Sequence, residues 1–236
     1  MEIHHFNKNF IHHKKSALAE VLREVVFGLE DGMVSTLGSI TGIAVGSGNQ
    51  STVLLAGSVI IAVESISMGI GSYLSNKSEE EVNKRKIDEE KKELEKFPGE
   101  EKNELFKMYT ADGWPEELAS KMAKVAAQNK EIMLKEMTMR ELQIPSALES
   151  ISIRGGIYMF LAYVMGGMIP LFAYLVLPIK NATPISIAIT LAGLFILGMS
   201  TTKFTKQPLL KSGLRILIMG GIALAAGLAA GLLLGQ

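Results

Sequence analysis

The sequence has no cysteine, which excludes disulfides and thiolate chemistry and leaves the redox compartment open. Histidine is absent beyond position 13, the four being His4, His5, His12 and His13. Neighbours in sequence do not share a helix face, so these pairs read as an exposed tail rather than a metal centre. Net charge is zero, with 24 bases against 24 acids, which argues against nucleic acid as a partner. No H-E-x-x-H, G-x-S-x-G, Walker or dinucleotide-binding pattern occurs. The chain is therefore expected not to be an enzyme and to need no cofactor. Without a nucleotide site, any pumping must draw on a gradient. The first residues, MEIHHFNKNFIHHKK, lack the apolar core and small-residue cleavage site of a secretory signal and are expected to stay on the protein.

Charge is scarce outside the middle of the chain. Between Lys77 and Ala147 lie 17 acids and 14 bases, 31 of the 48 charged residues. The flanking segments are apolar, the pattern of a membrane protein with one polar insert. A spanning helix needs about 20 apolar residues. Five stretches qualify, at about 25–48, 52–74, 151–177, 184–202 and 214–234. Lys8, Lys14, Lys15 and Arg23 precede the first, the charged insert follows the second, and Lys203, Lys206 and Lys211 follow the fourth. The other connections, GSGNQS and LPIKNATP, carry one lysine between them. Positive residues thus fall on alternate sides, placing the N-terminus and the insert in the cytoplasm and the C-terminus on the far side. The expected fold is an all-α membrane protein of five transmembrane helices, with a cytoplasmic helical domain between helices two and three. Its divisions are 1–24, 25–76, 77–147 and 148–236.

Several residues in this frame suit chemistry. Glu30 and Asp31 open the first apolar run, in GLEDGMVSTLGSITG. The uncharged run from Gly32 to Gly48 would be about 25 Å long as helix, short of a hydrocarbon core of roughly 30 Å. At least one acid is drawn into the membrane, either reaching back to the interface or acting as ion ligand or proton carrier. Glu64 lies mid-span in the second run, too deep to reach an interface, with Ser67 alongside and Met68 one turn on. An intramembrane acid is a functional candidate by default. Carboxylates suit hard ions, and a thioether shifts preference toward softer transition metals. Gly38, Gly42 and Gly46 form a four-residue row, as do Gly227, Gly231 and Gly235, and both read as helix packing.

The insert reads as helices. The segment after the second span continues it without a breaker to Pro98-Gly99, followed by PGEEKNELFKMYTA, PEELASKMAKVAAQN and KEIMLKEMTMREL, with Pro145 closing the insert. A three- or four-helix bundle follows. Glu90 and Glu93 share a face, as do Glu101 and Glu104, and Met137 and Glu141 sit one turn apart with Met139 nearby. Inward glutamates from several helices build carboxylate metal sites, although charge runs more often form solvated faces.

The stretches FGLEDGMVSTLG, ISMGIGSYLSNKSEEE and YVMGGMIPLFAY, in that order, resemble the vacuolar iron transporter family over nearly the whole chain, from about Arg23 onward. The resemblance implies a homodimer of five-helix subunits that moves Fe²⁺, and often Mn²⁺, out of the cytoplasm in exchange for protons. It implies metal-path roles for Asp31, in the DG motif, and Met68, in the SMG motif. It implies metal-capturing roles for Glu90, Glu93, Glu101, Glu104, Met137 and Glu141. Two positions depart from the family pattern. A glutamate expected two turns before Met68 is Ile60 here, with Glu64 as the candidate substitute. A second methionine expected beside Met137 is Thr138, with Met139 as the candidate substitute. The implied partners are divalent metal ions, protons and the bilayer, in a plasma membrane or a vacuole-like organelle. Two rivals carry no transport: a membrane-anchored metal buffer or sensor, and a carboxylate-bridged metal oxidase.

Overall fold

The computed structural model describes residues 17–144, 152–205 and 207–235. Among these there is no strand, and eight helices follow one another: α1 (Ala17–Ser47), α2 (Gln50–Lys96), α3 (Pro98–Ala111), α4 (Glu116–Ala127), α5 (Lys130–Arg140), α6 (Ser152–Val176), α7 (Ile179–Thr205) and α8 (Leu209–Leu234). Two compact units result, one of residues 1–73 and 153–236, the other of residues 74–152. The histidine pairs and Pro145 lie outside the described residues.

Four of the described helices are long and apolar enough to cross a membrane: α2, Ile153–Val176 of α6, Ile179–Thr202 of α7, and α8. α1 is helical over the expected first stretch, but its charge-free portion, 32–47, is shorter. Its end is set by Gly48, whose φ of 59° is the left-handed conformation that favours glycine, and whose N–H donates to the Ala44 carbonyl (3.0 Å). Asn49 then caps α2, its side-chain oxygen accepting from the Thr52 N–H (3.1 Å). The next residue, Gln50, donates its side-chain amide to the carbonyls of Tyr174 (2.7 Å) and Leu177 (3.1 Å), satisfying acceptors at the end of α6.

The glycine rows pack as their spacing implies. A Cβ on Gly42 would overlap the Gly227 carbonyl, and one on Gly231 would overlap the Gly42 carbonyl. α1 and α8 therefore meet backbone to backbone, the close approach that small residues permit in lipid. Gly42→Val should lower the melting temperature in detergent, at a cost of about 1–3 kcal/mol or more for overpacking. Gly71→Val, in open space, serves as the control. The core of this unit gathers Ile40, Ala44, Val53, Ile61, Leu171, Ala173, Tyr174 and Ala182. α7 begins five residues before Pro184, so that proline lies inside the helix rather than at its start. The helix continues because the lost N–H would have met only the carbonyl of exposed Lys180, in the first turn.

In the other unit, α2 runs unbroken from the apolar into the charged sequence. Pro98 begins α3, where a missing N–H costs nothing, and Glu100 and Glu101 sit in its first turn, complementing the helix dipole. Asn129 caps α5, accepting from the N–H groups of Glu131 and Ile132. Leu105, Tyr109, Ala119, Ala123, Ala126, Met133 and Met137 form the core, with Leu94 of α2 packed against it. The last turn of α5 is tied to α3. Arg140 Nε donates to Glu136 Oε2 (2.9 Å), its guanidinium lies 4.5 Å from the Tyr109 ring centre, and it pairs with Asp112. The Tyr109 hydroxyl donates to the same Glu136 oxygen (3.0 Å). Arg140→Ala should cost about 1–3 kcal/mol, from the charged hydrogen bonds and the cation–π contact, and lower the melting temperature measurably by circular dichroism.

Candidate functional site

The paired spacings of the insert become a cluster in space. Glu90 comes from α2, Glu101 from the first turn of α3, and Glu141 from the residue after α5. One carboxylate oxygen from each lies within 4.8 Å of the others. Glu90 and Glu101 are buried, and each has one oxygen without a hydrogen-bond partner among the described residues. Burial first, then the carboxylates of Glu141 and Glu101, pushes the Glu90 pKa up from 4.5 to about 8. Glu101 is raised by burial and then by Glu104, Glu141 and Glu93. Glu141 is raised by burial and then by Glu104 and Glu93. Glu93 and Glu104 act on these three as neighbouring charges, so all five predicted glutamates share one field, and Glu90, Glu101 and Glu141 hold their protons more tightly than free carboxyls do unless a cation replaces them. Hard oxygen donors at this separation can coordinate a divalent ion.

Met137 is fully buried, one turn before Glu141. Thr138 is also buried. Met139 stands 47% exposed, about 200° round the helix from Met137, and so does not supply the thioether that Thr138 replaces.

In the apolar unit the neighbours Glu30 and Asp31 meet different surroundings. Glu30 feels the charge of Arg215 on α8, whereas Asp31 feels that of Glu64 on α2. Asp31 is half-buried, and its carbonyl accepts from Ser35 Oγ (2.7 Å). Glu64 is exposed, as is Ser67 on the same face of α2. Met68 follows one turn later, partly buried, and Ile60 lies one turn earlier. Tyr163 of α6 is fully buried, close enough for the charges of both acids to act on it, and its hydroxyl meets Ser35 Oγ at 2.6 Å.

The sequence model of the VIT family matches residues 22–232. The chain belongs to the VIT family. Its relatives are transporters rather than enzymes. Vacuolar iron transporter 1 of Arabidopsis thaliana is 30% identical over 224 residues, covering 94% of this chain and 87% of that protein. Vacuolar iron transporter 1 of Tulipa gesneriana is 30% identical over 217 residues, covering 92% and 88%. The vacuolar iron transporter of Plasmodium berghei (strain Anka) is 29% identical over 231 residues, covering 93% and 84%. With four apolar helices of spanning length among its described residues, this VIT family member is an integral membrane protein.

Sequence reasoning passed over Glu24. It is 2% exposed, bonded through one oxygen to Arg23 (2.9 Å), while its other oxygen has no partner among the described residues. The signal was its place two turns before Asp31, on the same face of α1.

Proposed function

We propose that this protein exports a divalent transition metal, Fe²⁺ and also Mn²⁺, from the cytoplasm in exchange for protons. Residues 77–147 form a cytoplasmic domain that captures the ion on Glu90, Glu93, Glu101, Glu104 and Glu141, with Met137 tuning the site toward transition metals. The ion then follows a path lined by Asp31, Glu64 and Met68. Metal and proton compete for the same carboxylates, so a binding ion expels a proton, and a proton arriving from the far side expels the ion.

The observation that carries this reading is that Asp31 of α1 and Glu64 of α2, both set in apolar sequence, lie close enough for the charge of one to act on the other. A buffer or sensor needs ligands only in the insert, and acids at mid-depth cost roughly 2.5–3.5 kcal/mol on insertion scales. A carboxylate-bridged oxidase commonly draws on Glu-x-x-His pairs, and the insert has no histidine. α1 serves as the fifth membrane helix, borrowing the residues around Asp31 to reach full length. The exposure of Glu64 supports a homodimer, because a lipid-facing acid would be costly and a second copy across this face would enclose it. The names of the relatives fit a vacuole-like membrane, and the plasma membrane suits the sequence equally.

Purified protein in liposomes tests the proposal. Mn²⁺ should cross when an opposing proton gradient is imposed. Tight Mn²⁺ binding with no flux would favour the buffer, and Fe²⁺ oxidation under oxygen without flux would favour the oxidase.

A further inference from the structure

The apolar unit holds a set of buried hydroxyls for which the metal-path residues do not account. It begins beside Asp31. Ser35 Oγ donates to the Asp31 carbonyl and also meets the Tyr163 hydroxyl at 2.6 Å. With the serine proton committed to the carbonyl, the proton in the second contact belongs to the tyrosine. Thr36 is next. Its Oγ1 lies against Gly167, at 2.9 Å from where a Cβ would stand.

On α6, Tyr163, Gly167, Pro170 and Tyr174 recur at spacings of four, three and four, a single helix face. α7 answers that face in antiparallel order. Ser186 Oγ donates to the Pro170 carbonyl (2.7 Å), and the Tyr174 hydroxyl donates to Thr183 Oγ1 (3.1 Å). Continuing this register brings Thr190, one turn beyond Ser186, level with Gly167. Thr41 of α1 lies beside the Tyr174 hydroxyl. The seam ends where Gln50 binds the last carbonyls of α6, at the α1–α2 turn.

Thr36, Thr41 and Thr190 are each 0% exposed, and none of their hydroxyls makes a hydrogen bond of full geometry among the described residues, although Thr36 and Thr41 lie near enough to the Tyr163 and Tyr174 hydroxyls to act on them. A helical threonine ordinarily returns its hydroxyl to a carbonyl three or four residues back, as Thr183 and Thr202 do. Three buried hydroxyls without a well-formed bond along one seam are the setting in which buried water binds. The ionisable neighbours of Tyr163 are Asp31 and Glu64, and Tyr174 has none among the described residues, so the seam between the two tyrosines is polar yet uncharged.

We propose that this seam between α1, α6 and α7 is a water-filled proton route within each protomer, separate from the metal path. The hydroxyls of Thr183, Tyr174, Thr41, Thr190 and Thr36 hold a file of water leading from the α1–α2 turn to the Ser35–Tyr163 pair. Each oxygen takes one proton and passes another on, so none is left charged. The inference rests on the antiport reading above.

The test uses full-length protein in liposomes, with Mn²⁺ and proton fluxes recorded together in H₂O and in D₂O. Thr41→Val and Thr190→Val keep the side-chain shape and drop the hydroxyl. Proton flux should fall by about a hundredfold or more, the order that one lost proton-transfer group costs. The D₂O effect should grow, Mn²⁺ binding should stay unchanged, and Thr41→Ser should restore the rate. If Thr41→Val fails to fold, Tyr174→Phe carries the same expectation. Valine variants that couple at the wild-type rate would overturn the route while leaving antiport standing. So would a slowed rate with an unchanged D₂O effect and no rescue by serine, since that marks a packing role. Wild-type protein that moves Mn²⁺ without protons would overturn the antiport reading itself.

Discussion

Asp31→Asn is expected to leave the protein folded and to stop metal movement. Asparagine keeps the size of aspartate and its capacity for hydrogen bonds, and the Ser35 bond is to the backbone carbonyl of residue 31, not to the carboxylate. Helix packing around the site should therefore survive. What disappears is the charge that an ion must meet after leaving water, together with the proton that the exchange requires. Changing a group that merely supports a metal ligand costs roughly 10–100-fold in affinity or activity, so removing a ligand itself should cost at least that much. Mn²⁺ flux in liposomes measures the loss, and Mn²⁺ binding to the insert should be unaffected. Glu30→Gln should do far less, because Glu30 feels its neighbour Asp31 and then the opposite charge of Arg215, whereas Asp31 feels Glu64 on the proposed path.

The second large effect is a pH-dependent one at the glutamate cluster. Glu90 titrates at about 8 in the folded protein, against an ordinary 4.5, and Glu101 and Glu141 shift in the same direction. Between these values the folded state holds protons that an unfolded chain has released, so stability falls as pH rises through that window. The metal-free protein should melt highest below about pH 4.5 as far as this cluster is concerned, and should lose stability progressively to about pH 8. Mn²⁺ replaces the protons, so its stabilising effect should be larger at pH 8 than at pH 6, with protons released on binding. Glu90→Gln mimics the protonated acid. It should flatten the pH dependence of the metal-free melt and weaken Mn²⁺ binding by at least about tenfold, again at or above the effect of a supporting group. Calorimetry in two buffers of different ionisation enthalpy reads affinity and proton release together. A pH-independent melt, or full Mn²⁺ affinity in the variant, would refute the cluster as the capture site.

Much of this was legible in the sequence because helices are local. Pro98 and the absence of a breaker before it were enough to bound α3 and to predict one long α2. Three- and four-residue spacings put Glu90 with Glu93, and Met137 with Glu141, on shared faces. Spacing cannot say which faces meet, so the convergence of Glu90, Glu101 and Glu141 from three separate helices required the structure. The same limit hid the difference between Glu30 and Asp31, which are adjacent in the chain and separated only by what α8 and α2 bring to each. Arg140 ties Glu136, Asp112 and Tyr109 together, contacts between helices that spacing along one helix does not reveal. The buried threonines were invisible because a hydroxyl in an apolar run scarcely alters its hydropathy. α7 begins at Ile179, before the apolar run of about 184–202, because its first turn is too polar to count toward a spanning stretch.

The central claim is that intramembrane acids exchange metal for protons. The most direct measurement records a metal-sensitive and a pH-sensitive dye in the same liposomes, with wild-type protein and Asp31→Asn side by side. The account predicts Mn²⁺ entry accompanied by opposite proton movement in the wild type, and neither in the variant. Mn²⁺ entry at an equal rate in both would contradict it.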